Sequence, residues 1–397
     1  MGAARGQGRT ADRSCERDGF HAHGLSSARR APAGNLRVGS SAQSLPREPA
    51  SHPDSGLIGW VEGASEGPLL LCIGGLHGNE PAGVRALEAL IDQVRARRRA
   101  MKGDFVAVVG NTGALAAGRR FLSYDMNRAW TAGRIDLSRN GHAPPGGHRR
   151  AAVDSSPSRR GVHPLRGRRV SAPSPEDLEM VRLLHLLDVI AERRRGPVHV
   201  LDLHTTSGRG GTFTTTADLP RNRRFAMEIP VPLVLGLDEH LEGTLLGYLD
   251  QLAYTTTVCE CGQHQEPRAV TRARAAVWLA ARAAGLLPET AIPEARRSFR
   301  IMRAARDHLP KVFETVHRHP VASADGYRTR PGLGNFQLIR AGQIVGDDRR
   351  GEVAAPLSGR LLMPLYQELG EDGFFVVREA AERRRRAHGA DGLLTAN

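Results

Sequence analysis

With 397 residues, of which 40% are hydrophobic and 25% charged, the chain has the balance of a globular protein with a sizeable core, which argues against wholesale disorder. Four cysteines are too few for a disulfide framework, no apolar run approaches the ~20 residues of a membrane helix, and no apolar stretch follows the first residues as in a secretory signal, so the reading is a soluble, cytoplasmic chain. A formal charge of +14 raises nucleic acid as a partner, but only 5% of residues are aromatic, too little for a base-stacking surface, and nucleic acid is set aside.

Residues 1–55 are rich in Gly, Ala, Ser, Pro and Arg, show no period and read as a disordered extension. Order is expected from residue 56. Leu57-Ile-Gly-Trp-Val61 reads as a short strand, and Leu69-Leu-Leu-Cys-Ile73, apolar on both faces, as the interior of a mostly parallel sheet covered by helices. A helical period begins at Glu80, with Val84, Leu87, Leu90, Ile91 and Val94 on one face. Phe105-Val-Ala-Val-Val109 is another buried strand. Residues 134–175 carry Gly, Pro, Ser, His and Arg without a period and read as a flexible insertion, too long for an ordinary connection.

A helix over 177–195, with a basic last turn, leads to the strand Val198-His-Val-Leu-Asp202. Val231-Pro-Leu-Val-Leu235 and Thr255-Thr-Thr-Val-Cys259 read as strands and 269–287 as an alanine-rich helix. Cys259 and Cys261 are expected as buried, reduced thiols on opposite faces of their strand. Strands alternating with helices predict an α/β sheet whose ligand site lies beyond the strands' carboxyl ends. Beyond 304 the strand-like pieces are short: Phe336-Gln-Leu-Ile339, Gly359-Arg-Leu-Leu-Met363 and Phe374-Phe-Val-Val377. The predicted organisation is therefore a catalytic domain over 56–304, a small β-domain over 305–380 and a basic tail over 381–397.

Chemistry gathers at the strand ends. In Gly74-Gly-Leu-His77-Gly-Asn-Glu80, an imidazole and a carboxylate three positions apart across a glycine turn can converge on one ion; a His in a tight loop beside a helix-stabilising Glu fits equally well. His204, just past the strand ending at Asp202, opens onto the same sheet edge. Two His and one Glu make the ligand set of a catalytic zinc site with one open position. Asp202 reads either as a carboxylate supporting His204 or as a strand-end cap. Arg119-Arg120 and Asp125-Met-Asn127-Arg128 form an arginine- and asparagine-bearing loop suited to a substrate carboxylate or a developing oxyanion, or else a solvated basic loop. Glu260 ends a very apolar stretch, where burial raises a carboxyl towards general-base duty; pairing with an arginine is the alternative.

Taken together, Gly75-Leu-His77-Gly-Asn-Glu80, Asp125-Met-Asn127-Arg128, Asp202-Leu-His204-Thr-Thr and Glu260-Cys-Gly262 resemble the succinylglutamate desuccinylase/aspartoacylase family, a branch of the zinc carboxypeptidase-like hydrolases. The resemblance runs in order over residues 57–287. It implies an α/β fold with a mixed, mostly parallel sheet flanked by helices and a small C-terminal β-domain. It implies one Zn2+ per chain on His77, Glu80 and His204, and Glu260 as the base that deprotonates the attacking water and then protonates the leaving amine. Arg120 matches the arginine that polarises the scissile carbonyl, with Arg119 beside it as a rival, and Asn127 and Arg128 match the pair that holds the substrate carboxylate.

Amide hydrolysis needs a nucleophile at neutral pH, an oxyanion partner and an acid for the departing nitrogen, and the four motifs supply one of each. The expected activity is zinc-dependent cleavage of the amide of an N-acyl amino acid or a similar small carboxylate-bearing substrate. A zinc carboxypeptidase or amidase on short peptides or cell-wall fragments, and a basic binding module with a vestigial zinc site, are the alternatives. A small-molecule substrate, no membrane and an open question of homo-oligomerisation complete the expectation. Tyr327 and Tyr366 are candidates for acyl-group selection only by their place in the C-terminal region, where packing competes as an explanation, and His142, His148 and His163 read as solvated.

Overall fold

A computed structural model of the protein describes residues 56–141, 172–306 and 308–380. The N-terminal extension, Cys15, most of the insertion with His142, His148 and His163, and the basic tail lie outside the described residues.

The strands are β1 (Leu57–Glu62), β2 (Ser65–Gly74), β3 (Lys102–Val109), β4 (Val198–Thr206), β5 (Phe213–Thr215), β6 (Leu233–Leu235) and β7 (Thr255–Gln263). After them come β8 (Val312–Pro320), β9 (Arg328–Thr329), β10 (Leu338–Ile339), β11 (Ile344–Asp348), β12 (Gly351–Ala354), β13 (Gly359–Leu362) and β14 (Asp372–Glu379). The helices are α1 (Ala82–Ala96), α2 (Thr112–Ala117), α3 (Ala132–Gly141), α4 (Pro175–Arg193), α5 (Pro220–Met227), α6 (Leu245–Gln251), α7 (Pro267–Ala283) and α8 (Ala295–Arg306).

One sheet runs in the order β1-β3-β2-β4-β7-β5-β6-β8-β14-β13-β10, and a second holds β12-β11-β9. Its centre, β3-β2-β4-β7, is parallel. β1 and β5 join antiparallel, and the C-terminal strands β8, β14, β13 and β10 pair antiparallel to one another. This is the mixed sheet with a C-terminal antiparallel part that the sequence predicts. Hydrogen bonding nevertheless crosses position 305 without a break, because β8 pairs in parallel with β6.

The doubly apolar central strands follow from helices on both faces. Along β2, Leu70 and Cys72 join the core under α1 and α7, whereas Leu69, Leu71 and Ile73 join the core under α4 and α6. The same alternation divides Phe105 and Ala107 from Val106 and Val108 on β3. Cys259 and Cys261 correct the sequence reading: residues two apart on a strand share a face, and both thiols enter the α1/α7 core with their sulfurs 3.8 Å apart. Cys72, Cys259 and Cys261 are free and buried.

The segment expected to be irregular from Arg134 begins inside a helix, since α3 runs to Gly141, and Pro175 opens α4 behind the Ser174 cap. The Ser174 side chain accepts from the Asp177 amide, which with Pro at the first helical position fixes that start. β5 and β8 carry no clear sequence signal. β5 is only Phe-Thr-Thr, and β8 interleaves charged and polar residues because it is only half-buried. Among the described residues, no helix is long and apolar enough to cross a membrane.

Candidate metal centre and active site

Three parallel strand ends deliver the site. β2 stops at Gly74, and the chain turns through Gly75, whose φ of +68° favours glycine, into the loop bearing His77 and Glu80 ahead of α1. At Gly78 the requirement is space: a Cβ there would lie 2.0 Å from the Ala114 carbonyl carbon, so the loop rests directly on the backbone of α2. His204 lies on β4 and Glu260 on β7, where the two are register partners. Asp202, two residues before His204, shares its face.

The geometry converges on Glu80. Its Oε1 lies 2.9 Å from His77 Nδ1 and its Oε2 3.2 Å from His204 Nδ1, and one ligating atom from each residue falls within 4.8 Å of the others. The opposite nitrogen of each ring is taken by a buried carboxylate: His77 Nε2 lies 3.2 Å from Asp125 Oδ1, and His204 Nε2 2.9 Å from Asp202 Oδ2. Imidazoles anchored outward on carboxylates and turned inward towards a third form the arrangement that orients histidine ligands around a metal ion. Glu80, Asp125 and Asp202 place three buried carboxylates around two imidazoles and the single guanidinium of Arg120, a donor set suited to one divalent cation.

Electrostatics follow from this packing. Burial alone would raise the Glu80 carboxyl, but the His77 and His204 imidazoles outweigh it and hold the group well below the usual carboxylate range. Burial likewise works against charge on His204, and the Asp202 and Glu80 carboxylates overturn it, holding the imidazole well above its ordinary value. At Glu260 the balance falls the other way, because the lowering pull of His204 and Arg120 does not offset burial. Burial pushes its carboxyl up to about 8, with Glu80 and Asp202 adding to the rise, and its Oε2 is buried without a hydrogen bond. A carboxyl poised near neutrality beside the three converging side chains suits proton transfer.

Arg120 donates from Nη2 (2.8 Å) and Nε (3.2 Å) to Asp125 Oδ2, and its Nη1 stands 3.7 Å from Glu80 Oε1. Arg119 is exposed and outside the cavity, whereas Arg120 lines it. Asn127 Oδ1 accepts from the Leu245 amide at the start of α6, leaving its NH2 group without a partner among the described residues. Arg128 donates from Nη1 to the Asn127 carbonyl and from Nη2 to Asp372 Oδ2 (2.7 Å), while its buried Nε makes no hydrogen bond and stands 4.0 Å from Glu371 Oε2.

All seven site residues proposed from sequence line one cavity of about 410 Å³. Three neighbours lacked an assigned role. Asp125 sits inside a motif already singled out, where an acid five residues after Arg120 is the usable signal. His264 and Gln367 form a bridge: Gln367 Oε1 accepts from Asn79 Nδ2 (2.8 Å) and lies 3.2 Å from His264 Nε2, whose Nδ1 is 2.8 Å from Thr205 Oγ1. Gln367 arrives from the loop before β14, and nothing local in the sequence marks it. Tyr327 and Tyr366 do not line the cavity. Tyr366 donates its hydroxyl to backbone carbonyls of Arg330 and Leu333, and Tyr327 packs in the C-terminal core.

Comparison with known proteins gives a consistent result. The family model of the succinylglutamate desuccinylase/aspartoacylase catalytic domain matches residues 66–284. A curated succinylglutamate desuccinylase of Serratia proteamaculans is 28% identical over 174 residues, covering 38% of this chain and 51% of that protein, so the chain spans about half the length of the curated relative it matches. Among solved structures, a succinylglutamate desuccinylase/aspartoacylase from Rhodobacter sphaeroides is similar with a TM-score of 0.54 at 17% identity, over 81% of this chain and 88% of that one. A succinylglutamate desuccinylase from a Silicibacter species gives 0.51 at 15% identity, over 80% and 88%. The structural likeness carries the fold, and the family match, which takes in more than half of the residues and three of the strand ends that build the site, carries the membership: the chain belongs to the succinylglutamate desuccinylase/aspartoacylase family.

Proposed function

We propose that the protein is a zinc-dependent hydrolase that cleaves the amide bond of an N-acyl amino acid. The observation that carries this reading is the double anchoring of His77 and His204, each with one nitrogen turned to Glu80 and the other held by a buried carboxylate. His77, Glu80 and His204 would hold the ion. When bound there, zinc supplies a nucleophile at neutral pH and Lewis acidity towards a carbonyl.

The chain's own residues account for the rest. Glu260 takes the proton of the attacking water as the C–O bond forms. Burial, which disfavours a lasting charge on this carboxyl, then favours passing that proton to the departing nitrogen as the C–N bond breaks, yielding a carboxylate and an amine. Arg120, locked on Asp125 and close to Glu80, offers its guanidinium to the carbonyl oxygen as negative charge develops. The Asn127 NH2 group and Arg128 Nε, neither of which makes a hydrogen bond among the described residues, are donors suited to a substrate carboxylate.

The test is metal content by mass spectrometry on the wild type and His204→Ala, together with amine release from a panel of N-acyl amino acids and dipeptides. About one zinc per wild-type chain, lost together with turnover in the variant, is expected. A folded wild type that holds no zinc and releases no amine would overturn the reading, and turnover confined to dipeptides would move it to a carboxypeptidase.

A further inference from the structure

Away from the metal-binding triad, the cavity departs from what an acidic substrate requires. Its lining also takes in Asp238, Asp250, Glu371 and Asp372, and among the described residues the one lining guanidinium beyond Arg120 is that of Arg128. Arg128 is itself largely spent: Asp372 accepts from its Nη2 at 2.7 Å and from Arg318 Nε at 2.6 Å, and Glu371 Oε2 lies 4.0 Å from its Nε. Counting Arg318, and Arg221, which stands 3.7 Å from Asp250, four carboxylates face three guanidiniums, in a chain whose formal charge is +14. Among the described residues a second carboxylate on the substrate would meet no free cation there, whereas a positive group would find Glu371, 58% exposed and 4.0 Å from Arg128 Nε, and the exposed Asp238, which makes no ion pair among them.

The remaining wall is apolar. Val258 lies two residues before Glu260 on the same face of β7, and α6, packed on that strand, adds Leu246 and Tyr248. Trp130 stacks on Tyr248 with ring centroids 5.5 Å apart, lines the same cavity at 4% exposure, and keeps its indole Nε1 buried without a partner. A slot with an apolar wall and carboxylates along its rim fits an alkyl stem that ends in a cation.

We infer that the substrate is the Nα-acyl derivative of a basic amino acid: one carboxylate for Asn127 and Arg128, an alkyl stem along Val258 and Leu246, and a terminal ammonium or guanidinium at the acidic rim. This rests on the hydrolase reading above and goes beyond it by assigning the class of amine released.

The experiment uses the full-length zinc-loaded protein at low ionic strength. kcat/KM is measured for Nα-acetyl-lysine and Nα-acetyl-ornithine against N-acetyl-aspartate, N-acetyl-glutamate and N-succinyl-glutamate, and calorimetry gives the binding of free lysine and aspartate. A preference of at least tenfold for the basic substrates is expected, with a KM that rises with salt. Glu371→Gln and Asp238→Asn, both at exposed positions, should each raise KM for Nα-acetyl-lysine about threefold or more while leaving kcat unchanged. Equal or better turnover of the acidic substrates would overturn the inference and leave the hydrolase reading standing. Binding of lysine over aspartate without turnover of any N-acyl amino acid would do the reverse, and neither binding nor turnover would overturn both.

Discussion

Asp125 is the buried joint between the two halves of the proposed machinery, and Asp125→Asn isolates its charge. One oxygen (Oδ1) faces His77 Nε2 at 3.2 Å and accepts from the Asn127 amide at 2.9 Å; the other (Oδ2) accepts from Arg120 Nη2 at 2.8 Å and Nε at 3.2 Å. Burial opposes its charge, but Arg120 and His77 outweigh burial and hold the carboxyl well below the usual range. Breaking a buried ion pair costs about 3–5 kcal/mol. Asparagine keeps one acceptor oxygen, so about 2–3 kcal/mol is the expected loss, visible as a fall of several degrees in Tm. The sign with pH follows: a depressed carboxyl stabilises the fold above its unfolded value near 4 and loses that contribution as pH falls through the folded one, so the gap between wild type and variant closes on acidification. Freed from its anchor, Arg120 no longer meets a carbonyl oxygen in one geometry, and kcat should fall about 10²-fold with KM little changed. Thermal unfolding from pH 3 to 8 and steady-state kinetics on the zinc-loaded protein make the test. If kcat stays within threefold and Tm within a degree at pH 7, Arg120 is held by something other than Asp125 and the argument fails.

Other outcomes follow from the same geometry. Glu260→Gln should keep about one zinc per chain while amine release falls below detection; retained turnover would remove Glu260 from the chemistry. Asp202→Asn leaves His204 without its outward anchor, and zinc affinity measured by chelator competition should drop about 10- to 100-fold. Arg119→Ala, at an exposed position, should leave kcat within twofold, whereas Arg120→Ala should cost about 10²- to 10³-fold. His199 tests a second part of the fold. Its Nδ1 is buried without a partner beside Phe225, and burial lowers the imidazole from 6.5 to about 4. The fold should therefore be at full strength above pH 6.5 and lose up to about 3 kcal/mol as pH falls through 4; His199→Gln should flatten that part of the profile in denaturant titrations.

What the sequence makes legible is what is local. The central strands announce themselves because helices cover both faces, so apolar residues run without alternation through Leu69-Leu-Leu-Cys-Ile73 and Phe105-Val-Ala-Val-Val109. His77 stands just past the end of such a strand, and His204 and Glu260 fall in the last residues of β4 and β7, β4 running on to Thr206 beyond the end expected at Asp202; parallel strands share the edge on which they end. That one rule gathers three distant segments into a site. Arg120, Asn127 and Arg128 follow from a loop next to the same edge. The error over Cys259 and Cys261 is of another kind, a misapplied period, and the 3.8 Å between their sulfurs corrects it.

The remainder is illegible for a physical reason: it is made of pairings between segments far apart in the chain, and each partner looks ordinary alone. Asp372 opens β14 in a stretch whose apolar residues advertise only a strand, yet it holds Arg128, 244 positions away, and Arg318 on β8. Gln367 is a polar residue in a loop until Asn79 and His264 are brought against it. These contacts exist because β8 pairs with β6, so the C-terminal strands extend the sheet and carry the 363–372 loop over the edge where β2, β4 and β7 end. The candidate metal ligands thus come from strand ends that any sequence of this pattern would display, while the charge proposed to meet the substrate rests on Glu371 and Asp372, supplied through that late pairing. On the proposed reading, chemistry and selectivity are encoded at different ranges, and a substitution at Glu371 or Asp372 changes which amine is released without touching a residue that the strand-end pattern reveals.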